Sequence, residues 1–548
     1  MIQRSGVIEA LQPRLDSPVG RPRALSLEGF LVAAQLNAFA RHHQAHLVEI
    51  ARTLDALSDD QRRALGICGW DQEQAYDRVE YLFAKLCRAL EAGWKASVDG
   101  RLERIDAQWF ANRIARAAVD GTTPASMSLA VDGTDVETWG ALRGEAGTLE
   151  FDGDSPETTD GVEDQSAVRR EGPRRGRPKA ARQRARILGI GPDGRKVYTP
   201  DPDARAGHRS ATNSRSAGTY VGYELHLAVQ TRDVKWSNGI DRTTLGPEVP
   251  NVVTNLSLVP AGSHRGRAIV PELLSAKERG QVMDDVVWDP GYSLCQADTA
   301  YYPLHRGRVH QTLQPVTHQR GQRPFAEDAL LIDGHLFSRV LPRDLVDLPM
   351  PPRGASLAEK LDYERAFNRR ARYRYVRHAG PEADGTTRWR CPFCFGLLRS
   401  RAFPRTMRRP RQIPLVSVPE GRTNCCSGIL SVTAAQLSLW QRLPFGTTAW
   451  RVSMGRRQVA ESANAALKGG FVDIGRKFFR VFGLAKLTVL LAFTVASFNL
   501  DRVRSFIAKH AEDGLPLRSA GTRRKRRTGT WADLIPVQSL VPGPAPPR

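Results

Sequence analysis

Two carboxylates in this sequence each come directly after a short apolar run. Asp132 follows residues 129–131 and Asp289 follows residues 286–288, and a glycine-containing turn comes after each acid. One interpretation is a simple turn, because glycine adopts positive φ without steric cost. The other is that the rigid end of a buried strand aims a carboxylate at a ligand or metal ion. Two such acids in one chain favour the second interpretation.

A third acid lies in residues 456–470, a segment with a helical pattern that ends at two glycines. Spacings of four, three and four residues place four polar side chains on one helix face: Arg457, Glu461, Asn464 and Lys468. Taken alone, such a face is ordinarily solvated and its charges form ion pairs. Beside Asp132 and Asp289, it predicts that Glu461 is a third metal-binding carboxylate and that its three polar neighbours bind DNA phosphates.

Three converging carboxylates suit phosphodiester chemistry. They can hold two divalent ions about 3.5–4 Å apart, which activate a water molecule and offset charge on the leaving oxygen. Mg²⁺, or Mn²⁺ in its place, prefers such oxygen ligands. The sequence therefore predicts Asp132, Asp289 and Glu461 as catalytic metal ligands. Asp135 competes for the first position, but Asp132 is preferred because it directly ends the apolar run.

The charge of the chain is strongly positive. Its 548 residues include 80 Lys and Arg against 58 Asp and Glu, which gives a formal net charge of +22. A codon bias toward arginine explains why Arg outnumbers Lys, but it does not create a surplus over acids. The surplus favours a polyanionic partner, most simply nucleic acid, through phosphate contacts and counterion release.

The elements around the first two acids indicate a mixed α/β sheet. Residues 220–230 alternate apolar and polar side chains, which predicts a half-buried strand, and residues 251–261 predict a second strand. Residues 266–280 have helical periodicity, and the run before Asp289 predicts a buried strand. Strands separated by a helix favour an α/β fold.

Composition divides the chain into seven segments. They are residues 1–120, a helical domain that serves either DNA binding or dimerisation or simple packing; 121–141, the first core strand and its turn; 142–215, an acidic then basic flexible linker; 216–300, the sheet core; 301–450, an insertion that contains Cys and Arg; 451–510, the Glu461 helix and an apolar core helix; and 511–548, a disordered, basic and Pro-rich tail.

Cysteine content and hydropathy indicate a cytoplasmic protein with no membrane partner. The seven cysteines are an odd number, and the first thirty residues lack the apolar run of a signal peptide, which favours a reducing compartment. The most apolar run, residues 487–500, is 14 residues long. That is too short to span a bilayer and predicts a buried helix.

Four cysteines of the insertion are candidates for a structural zinc site: Cys391, Cys394, Cys425 and Cys426. The first two form a CxxC pair, which is a good half of such a site. The second half is awkward, because adjacent cysteines rarely both reach one tetrahedral ion, and His378 is an alternative ligand. Buried structural thiols are the other interpretation.

Two further segments could contact DNA. The Arg-Gly-Arg-Pro run of residues 175–178 is similar to an AT-hook, in which Arg175 and Arg177 would enter a narrow minor groove. A solvated basic linker is the alternative. Residues 367–377 mix Arg with Tyr and Phe, as base-stacking surfaces do, although an Arg-rich solvated helix has the same composition.

Four motifs in this order resemble the signatures of bacterial insertion-sequence transposases of the DDE class. They are AVDGTDVE, DPDAR ahead of GYELHLAV, VVWDPGYS, and RRQVAESANAALKGGF. The resemblance implies an RNase H-like mixed sheet flanked by helices, with Asp132, Asp289 and Glu461 as the catalytic acids. The separation of 172 positions from Asp289 to Glu461 implies an insertion after the last core strand. The implied activity is cutting and joining of double-stranded DNA at element ends and target, by a homo-oligomer at the nucleoid.

Other functions stay open at this point. A haloacid-dehalogenase-type phosphatase also uses a strand followed by Asp-Gly-Thr, but its nucleophile would stand at Ala130, so it is excluded. An RNase H-like nuclease without strand transfer has the same acids. A non-catalytic DNA-binding protein derived from a transposase could retain all three of them.

Overall fold

The computed structural model describes most of the chain. The described residues are 1–16, 23–41, 46–119, 124–140, 149–150, 183–209, 218–235, 243–323, 325–326, 329–352, 354–403, 410–418, 424–470, 472, 474–475 and 478–510. The basic run with Arg175 and Arg177, most of the predicted linker and the predicted tail lie outside them.

The α-helices of the described residues lie at both ends of the chain and between its strands. They are α1 (Val7–Leu15), α2 (Leu27–Arg41), α3 (Leu47–Asp55), α4 (Asp59–Ala64), α5 (Ala75–Ala92), α6 (Ala107–Ala117), α7 (Arg265–Glu278), α8 (Tyr301–Arg306), α9 (Leu357–Ala371), α10 (Thr448–Gly455), α11 (Gln458–Ala465) and α12 (Leu484–His510). A π-helical turn, Ala466–Gly470, continues α11, and short 3₁₀ helices lie at Gln3–Ser5, Pro290–Leu294, Thr317–Gln319, Arg343–Leu345, Pro410–Gln412 and Ala435–Leu437.

The strands form one large sheet and several small ones. They are β1 (Trp94–Val98), β2 (Arg101–Ile105), β3 (Ser128–Glu137), β4 (Leu149–Glu150), β5 (Gln183–Arg184), β6 (Gly189–Ile190), β7 (Lys196–Val197), β8 (Arg205–Arg209), β9 (Gly218–Thr231), β10 (Val234–Lys235), β11 (Thr244–Leu245), β12 (Val253–Pro260), β13 (Asp285–Trp288), β14 (His310–Thr312), β15 (Gln322–Arg323), β16 (Ala329–Ile332), β17 (His335–Ser338), β18 (Val376–Ala379), β19 (Thr387–Arg390) and β20 (Leu430–Val432).

The large sheet is mixed and has the spatial order β12-β9-β3-β13-β14, with β8 also paired to β9. Strand β9 is antiparallel to both β3 and β12, whereas β13 is parallel to β3 and β14 is parallel to β13. Counted along the chain without β8, the order is 3-2-1-4-5. The predicted α/β class, the strands at β9, β12 and β13, and the helix α7 are confirmed.

Both faces of this sheet are covered. On one face, α6, α11 and α12 share a hydrophobic core with the N-terminal helices, and Phe110 packs edge-on against Phe493 with ring centroids 5.9 Å apart. On the other face, Ile269 and Leu273 of α7 pack in a core with Leu129. Because β9 is covered on both sides, it is buried almost throughout, and the prediction of a half-buried strand was wrong.

Two further predictions are corrected. The strand does not end at Asp132: β3 continues to Glu137, because its whole length pairs with β9 from Ser128↔Thr231 to Glu137↔Gly222. The N-terminal region is not purely helical either, since β1 and β2 form an antiparallel hairpin between α5 and α6. Gly100, at φ +76°, follows Asp99 at φ +51° in its two-residue turn, a pairing typical of tight hairpins.

The segment between β14 and α10 has a core of its own. It contains two three-stranded antiparallel sheets, β15-β16-β17 and β18-β19-β20, and the helix α9. Buried side chains from both sheets share one cluster, which includes Phe337, Trp389 and Val432. This is the predicted insertion, and it separates Asp289 from Glu461 along the chain.

The apolar run near the C-terminus forms the core helix that its length predicts. Helix α12 is long and apolar enough to cross a membrane by length and composition alone, but 78% of its most apolar window is buried inside the protein. Its side chains contact α6, α2 and β12, as a central helix of a folded core does.

Candidate active site

Asp132 and Asp289 lie side by side on adjacent parallel strands. Trp288 pairs with Val131, and the backbone N–H of Asp289 donates to the carbonyl of Val131 at 3.3 Å. The residue that follows each member of this pair is the predicted acid, Asp132 within β3 and Asp289 directly after the end of β13. Burial, and then the negative charge of Asp289, raises the pKa of Asp132 to about 6. The sheet therefore brings together two acids that are 157 residues apart in sequence.

The Asp132 carboxylate is held by an amide. Asn464 of α11 donates from Nδ2 to Asp132 Oδ2 at 2.9 Å, and the backbone N–H of Gly133 donates to Oδ1 at 2.9 Å. Asn464 is only 8% exposed. Its Oδ1 is buried and has no hydrogen-bond partner among the described residues, so an oxygen acceptor beside Asp132 is left open.

The Asp289 carboxylate caps the turn after its strand and faces two arginines. Its Oδ2 accepts from the backbone N–H of Gly291 at 3.0 Å, and its Oδ1 accepts from Arg457 Nη1 at 2.8 Å. Arg265, from the first turn of α7, lies 3.7 Å from Oδ2. The backbone hydrogen bond thus orients the Asp289 carboxylate, and the two arginines offset its negative charge.

Glu461 forms an ion pair with Arg457, the arginine that also binds Asp289. Its Oε1 lies 2.6 Å from Arg457 Nη2, one helical turn away, and its side chain is 45% exposed. Arg457 therefore binds Asp289 with one end of its guanidinium and Glu461 with the other. The one-face arrangement expected for this helix is present, and this face is turned toward the acids of the sheet.

The remaining member of that face, Lys468, binds Asp135, the second acid of the AVDGTDVE motif. Lys468 Nζ donates to Asp135 Oδ1, and Arg209 of β8 lies 3.4 Å from Asp135 Oδ2. Arg209 also pairs with Glu137 at 2.7 Å. Two cations thus neutralise Asp135, whereas Asp132 is held by neutral donors beside Asp289. This difference favours Asp132 over Asp135 as the first acid.

A buried ion pair holds the start of α11 against the sheet. Arg456 is 4% exposed and pairs with Asp285, the first residue of β13, while its Nη1 donates to the carbonyl of Arg232 at 3.0 Å. Ser453 of α10 is hydrogen-bonded to Thr312 of β14 at 2.9 Å. These contacts fix the backbone at the start of α11, from which the side chains of Arg457 and Glu461 extend.

Sequence reasoning missed a polar layer behind the acids. His226 Nδ1 is 2.6 Å from Tyr292 Oη, and Arg265 pairs with Glu224 at 3.1 Å while its guanidinium lies 5.8 Å from the Tyr292 ring centre. Complete burial lowers the pKa of His226 to about 4, so this histidine is neutral. The signal was the polar face of β9, with Glu224 and His226 at alternate positions, which the half-buried interpretation assigned to solvent.

The donor chemistry of the three acids suits a hard divalent cation, because carboxylates and an amide oxygen are ligands that Mg²⁺ prefers. Within the described part of the chain, however, no three acids converge on one point as they stand, since Arg457 lies between Asp289 and Glu461. An ion that took all three carboxylates would have to replace that guanidinium.

The four cysteines of the insertion do converge. The sulfur atoms of Cys391, Cys394, Cys425 and Cys426 all lie within 4.8 Å of one another, and this cluster could hold a metal ion such as zinc. The adjacent pair, Cys425 and Cys426, which the sequence made an awkward half of a site, both belong to this cluster. His378, the alternative ligand, is exposed on β18 and is not part of the cluster.

The predicted base-stacking surface is partly buried. Arg370 of α9 is 3% exposed, pairs with Asp333 at 3.3 Å and lies 4.6 Å and 5.5 Å from the ring centres of Phe367 and Phe337. This arginine is therefore a core residue of the insertion.

Scans against protein-family models, curated proteins and solved structures find no match for the chain.

Proposed function

We propose that this protein is a metal-dependent DNA transposase of the DDE class, which cuts and joins phosphodiester bonds at the ends of an insertion sequence. The observation that carries the proposal is the adjacency of two acids from neighbouring strands, with a third acid linked to one of them through a shared arginine. Asp132 on β3 lies beside Asp289 after β13, and Arg457 joins Asp289 to Glu461 of α11. The 3-2-1-4-5 strand order supports an RNase H-like core, as the resemblance to these transposases implies.

Asp132, Asp289 and Glu461 would hold Mg²⁺ or Mn²⁺, with the open Asn464 oxygen as a further donor. The bound ions would supply an activated oxygen nucleophile and neutralise charge on the leaving oxygen. Metal ions bound between the acids would displace the guanidinium of Arg457. The displaced guanidinium would then be available for a bidentate contact with a DNA phosphate. Lys468 lies on the same helix face and is suited to contact the flanking backbone.

The partners follow from charge and chemistry. A net charge of +22 supports binding of double-stranded DNA, both element ends and target, at the nucleoid of the cytoplasm. Joining two ends to one target requires at least two active sites, which supports a homo-oligomer on DNA. Arg175 and Arg177 would add minor-groove contacts from the linker.

Cleavage of supercoiled plasmid carrying the DNA that flanks the gene tests this function. We expect nicking and strand transfer that need Mg²⁺ or Mn²⁺ and fall at least a hundredfold in Asp132→Asn, Asp289→Asn and Glu461→Gln, with DNA binding retained. Asp362→Asn is the matched control, because its side chain is 72% exposed and far along the chain from the site, in α9.

The outcomes separate the alternatives. Metal-dependent cutting without joining would indicate an RNase H-like nuclease. Binding without cutting, in wild type and variants alike, would indicate a non-catalytic DNA-binding protein. Cutting that is unchanged in all three acid variants would disprove the proposed site.

A further inference from the structure

The four-cysteine cluster lies in the insertion, remote in sequence from the acids. Cys394 Sγ is 3.5 Å from Cys425 Sγ and 3.3 Å from Cys426 Sγ, and the sulfurs of Cys425 and Cys426 are 3.9 Å apart. Cys391 is fully buried, and its Sγ is 3.8 Å from the carbonyl of Cys425. The seven cysteines are all free thiols in this structure.

These distances match a tetrahedral thiolate site. With Zn–S bonds of about 2.3 Å, the edges of a tetrahedron of sulfurs are ~3.8 Å long. The separations of 3.3, 3.5 and 3.9 Å surround that value. They are well beyond the ~2.05 Å of a disulfide bond. Four sulfur donors also suit Zn²⁺ and exclude Mg²⁺, which requires oxygen ligands.

We propose that Cys391, Cys394, Cys425 and Cys426 bind one Zn²⁺ ion in a closed structural site, which is a function separate from the acids. Four protein thiolates leave no position for water or substrate, so this ion has no catalytic role. The site would add to the hydrophobic core of the insertion, in which Cys391 is itself buried. This inference does not depend on the proposed transposase activity.

The ion would close the connection between two paired strands. Cys391 comes directly after β19, and Cys426 precedes β20, the antiparallel partner of β19. Between them, Phe393, Leu398 and Phe403 enter the core of the insertion. Zinc–thiolate bonds to both ends of this connection would hold those ends together. The free energy of zinc binding would therefore contribute to the folding free energy of the segment.

The segment that follows β20 links this centre to the sheet that holds the acids. Gln311 of β14 donates from Nε2 to the carbonyls of Ser438 and Trp440, each at 2.9 Å. Gln441 accepts from the backbone N–H of Leu313 at 3.0 Å. Helices α10 and α11 come next along the chain.

Metal analysis of the purified full-length protein tests the proposal. After dialysis against a weak chelator, we expect about one zinc ion per chain, with X-ray absorption giving four sulfur neighbours at ~2.3 Å. Replacement of the ion by Co²⁺ should give the absorption bands of a tetrahedral four-thiolate site. The Cys394→Ser/Cys425→Ser variant should retain less than a tenth of the wild-type zinc, whereas Cys68→Ser should retain all of it because Cys68 is exposed and outside the cluster.

Structure in the insertion gives a second measurement. A strong chelator should make residues within 391–430 at least tenfold more sensitive to protease, and added zinc should restore protection. Wild-type protein without zinc, a disulfide within the cluster, or nitrogen and oxygen neighbours around the ion would overturn the proposal. None of these readouts uses DNA or Mg²⁺, so failure here is distinct from failure of the proposed function.

Discussion

The guanidinium of Arg457 bridges Asp289 and Glu461, with Nη1 2.8 Å from one carboxylate and Nη2 2.6 Å from the other. It thereby connects the turn after β13 to helix α11. Its positive charge offsets the repulsion between acids that face a common space. The same position is the one that a divalent ion shared by both acids would occupy.

Removal of Arg457 should destabilise the metal-free protein and increase the stabilisation that a bound metal ion gives. In Arg457→Gln, the acids lose two charge-assisted hydrogen bonds, which costs about 1–3 kcal/mol of unfolding free energy without metal. Added Mn²⁺ should then raise the melting temperature more in the variant than in wild type, because it stabilises by binding the folded state. Thermal melting with and without Mn²⁺ measures both effects.

The control for this measurement is Arg365→Gln. Arg365 also pairs with an acid on its own helix, but its side chain is 75% exposed, so the change should stay within about 0.5 kcal/mol. A Mn²⁺ response of equal size in wild type and Arg457→Gln would contradict a shared position for arginine and metal.

Asn464 is predicted to position Asp132 through a neutral hydrogen bond. Asn464→Asp places a second carboxylate against Asp132 Oδ2, where burial and Asp289 already disfavour the charged form. We expect a loss of about 1–3 kcal/mol, since a buried like-charge contact replaces a hydrogen bond. Asn464→Ser, which keeps a donor, should lose less. Urea unfolding compares the two variants, and an equal loss in both would show that charge at this position has no effect.

The half-buried Glu272 of α7 predicts a pH dependence of stability. Burial, and then the charge of Asp106, raises its pKa from 4.5 to about 7, and it accepts a 2.9 Å hydrogen bond from Asn112. The folded protein therefore binds this proton more tightly than the unfolded chain. The stabilisation is fully present below pH 4.5 and is lost as the pH rises through 7, by about 3 kcal/mol in total.

Glutamine mimics the protonated side chain and separates this contribution from others. Glu272→Gln should be more stable than wild type at pH 8 by about 2–3 kcal/mol, and nearly equal to it at pH 4.5. Melting curves across this range measure the difference. Glu278→Gln, at an exposed position of the same helix, is the control. A Glu272→Gln variant that is no more stable than wild type at pH 8 would refute the assignment.

The sequence predicts the sheet core well, because short-range patterns determine it. The apolar runs before Asp132 and Asp289, and the helical spacing from Arg457 to Lys468, each depend on neighbours within a few residues. The contact between β3 and β13 then follows from where parallel strands of one sheet end. These patterns, with the resemblance to DDE transposases, single out Asp132, Asp289 and Glu461 as candidates, and their role as metal ligands stays a prediction.

Long-range packing decides what the sequence did not predict. The polar face of β9 is buried because Arg265 and Tyr292, from elements after it, cover Glu224 and His226. Cys425 and Cys426 lie near Cys391 because β20, which follows them, pairs with β19, which directly precedes Cys391. No local periodicity carries that information. The continuation of β3 past Asp132 is likewise set by its partner β9.

A single amide in α12 ties three elements together, and its loss should be severe. Asn499 accepts from the backbone N–H of Val253 at 2.8 Å and donates to the carbonyls of Val253 and Ala115 at 2.8 and 2.9 Å. It is fully buried, so Asn499→Ala leaves backbone groups of β12 and α6 without partners in an apolar core. We expect a loss of about 3 kcal/mol in unfolding free energy, because each unsatisfied group costs its desolvation.

Ser505→Ala, at an exposed position of the same helix, should change stability by less than about 0.5 kcal/mol. Urea unfolding of both variants measures the difference, and a small loss in Asn499→Ala would mean that these backbone groups find other partners.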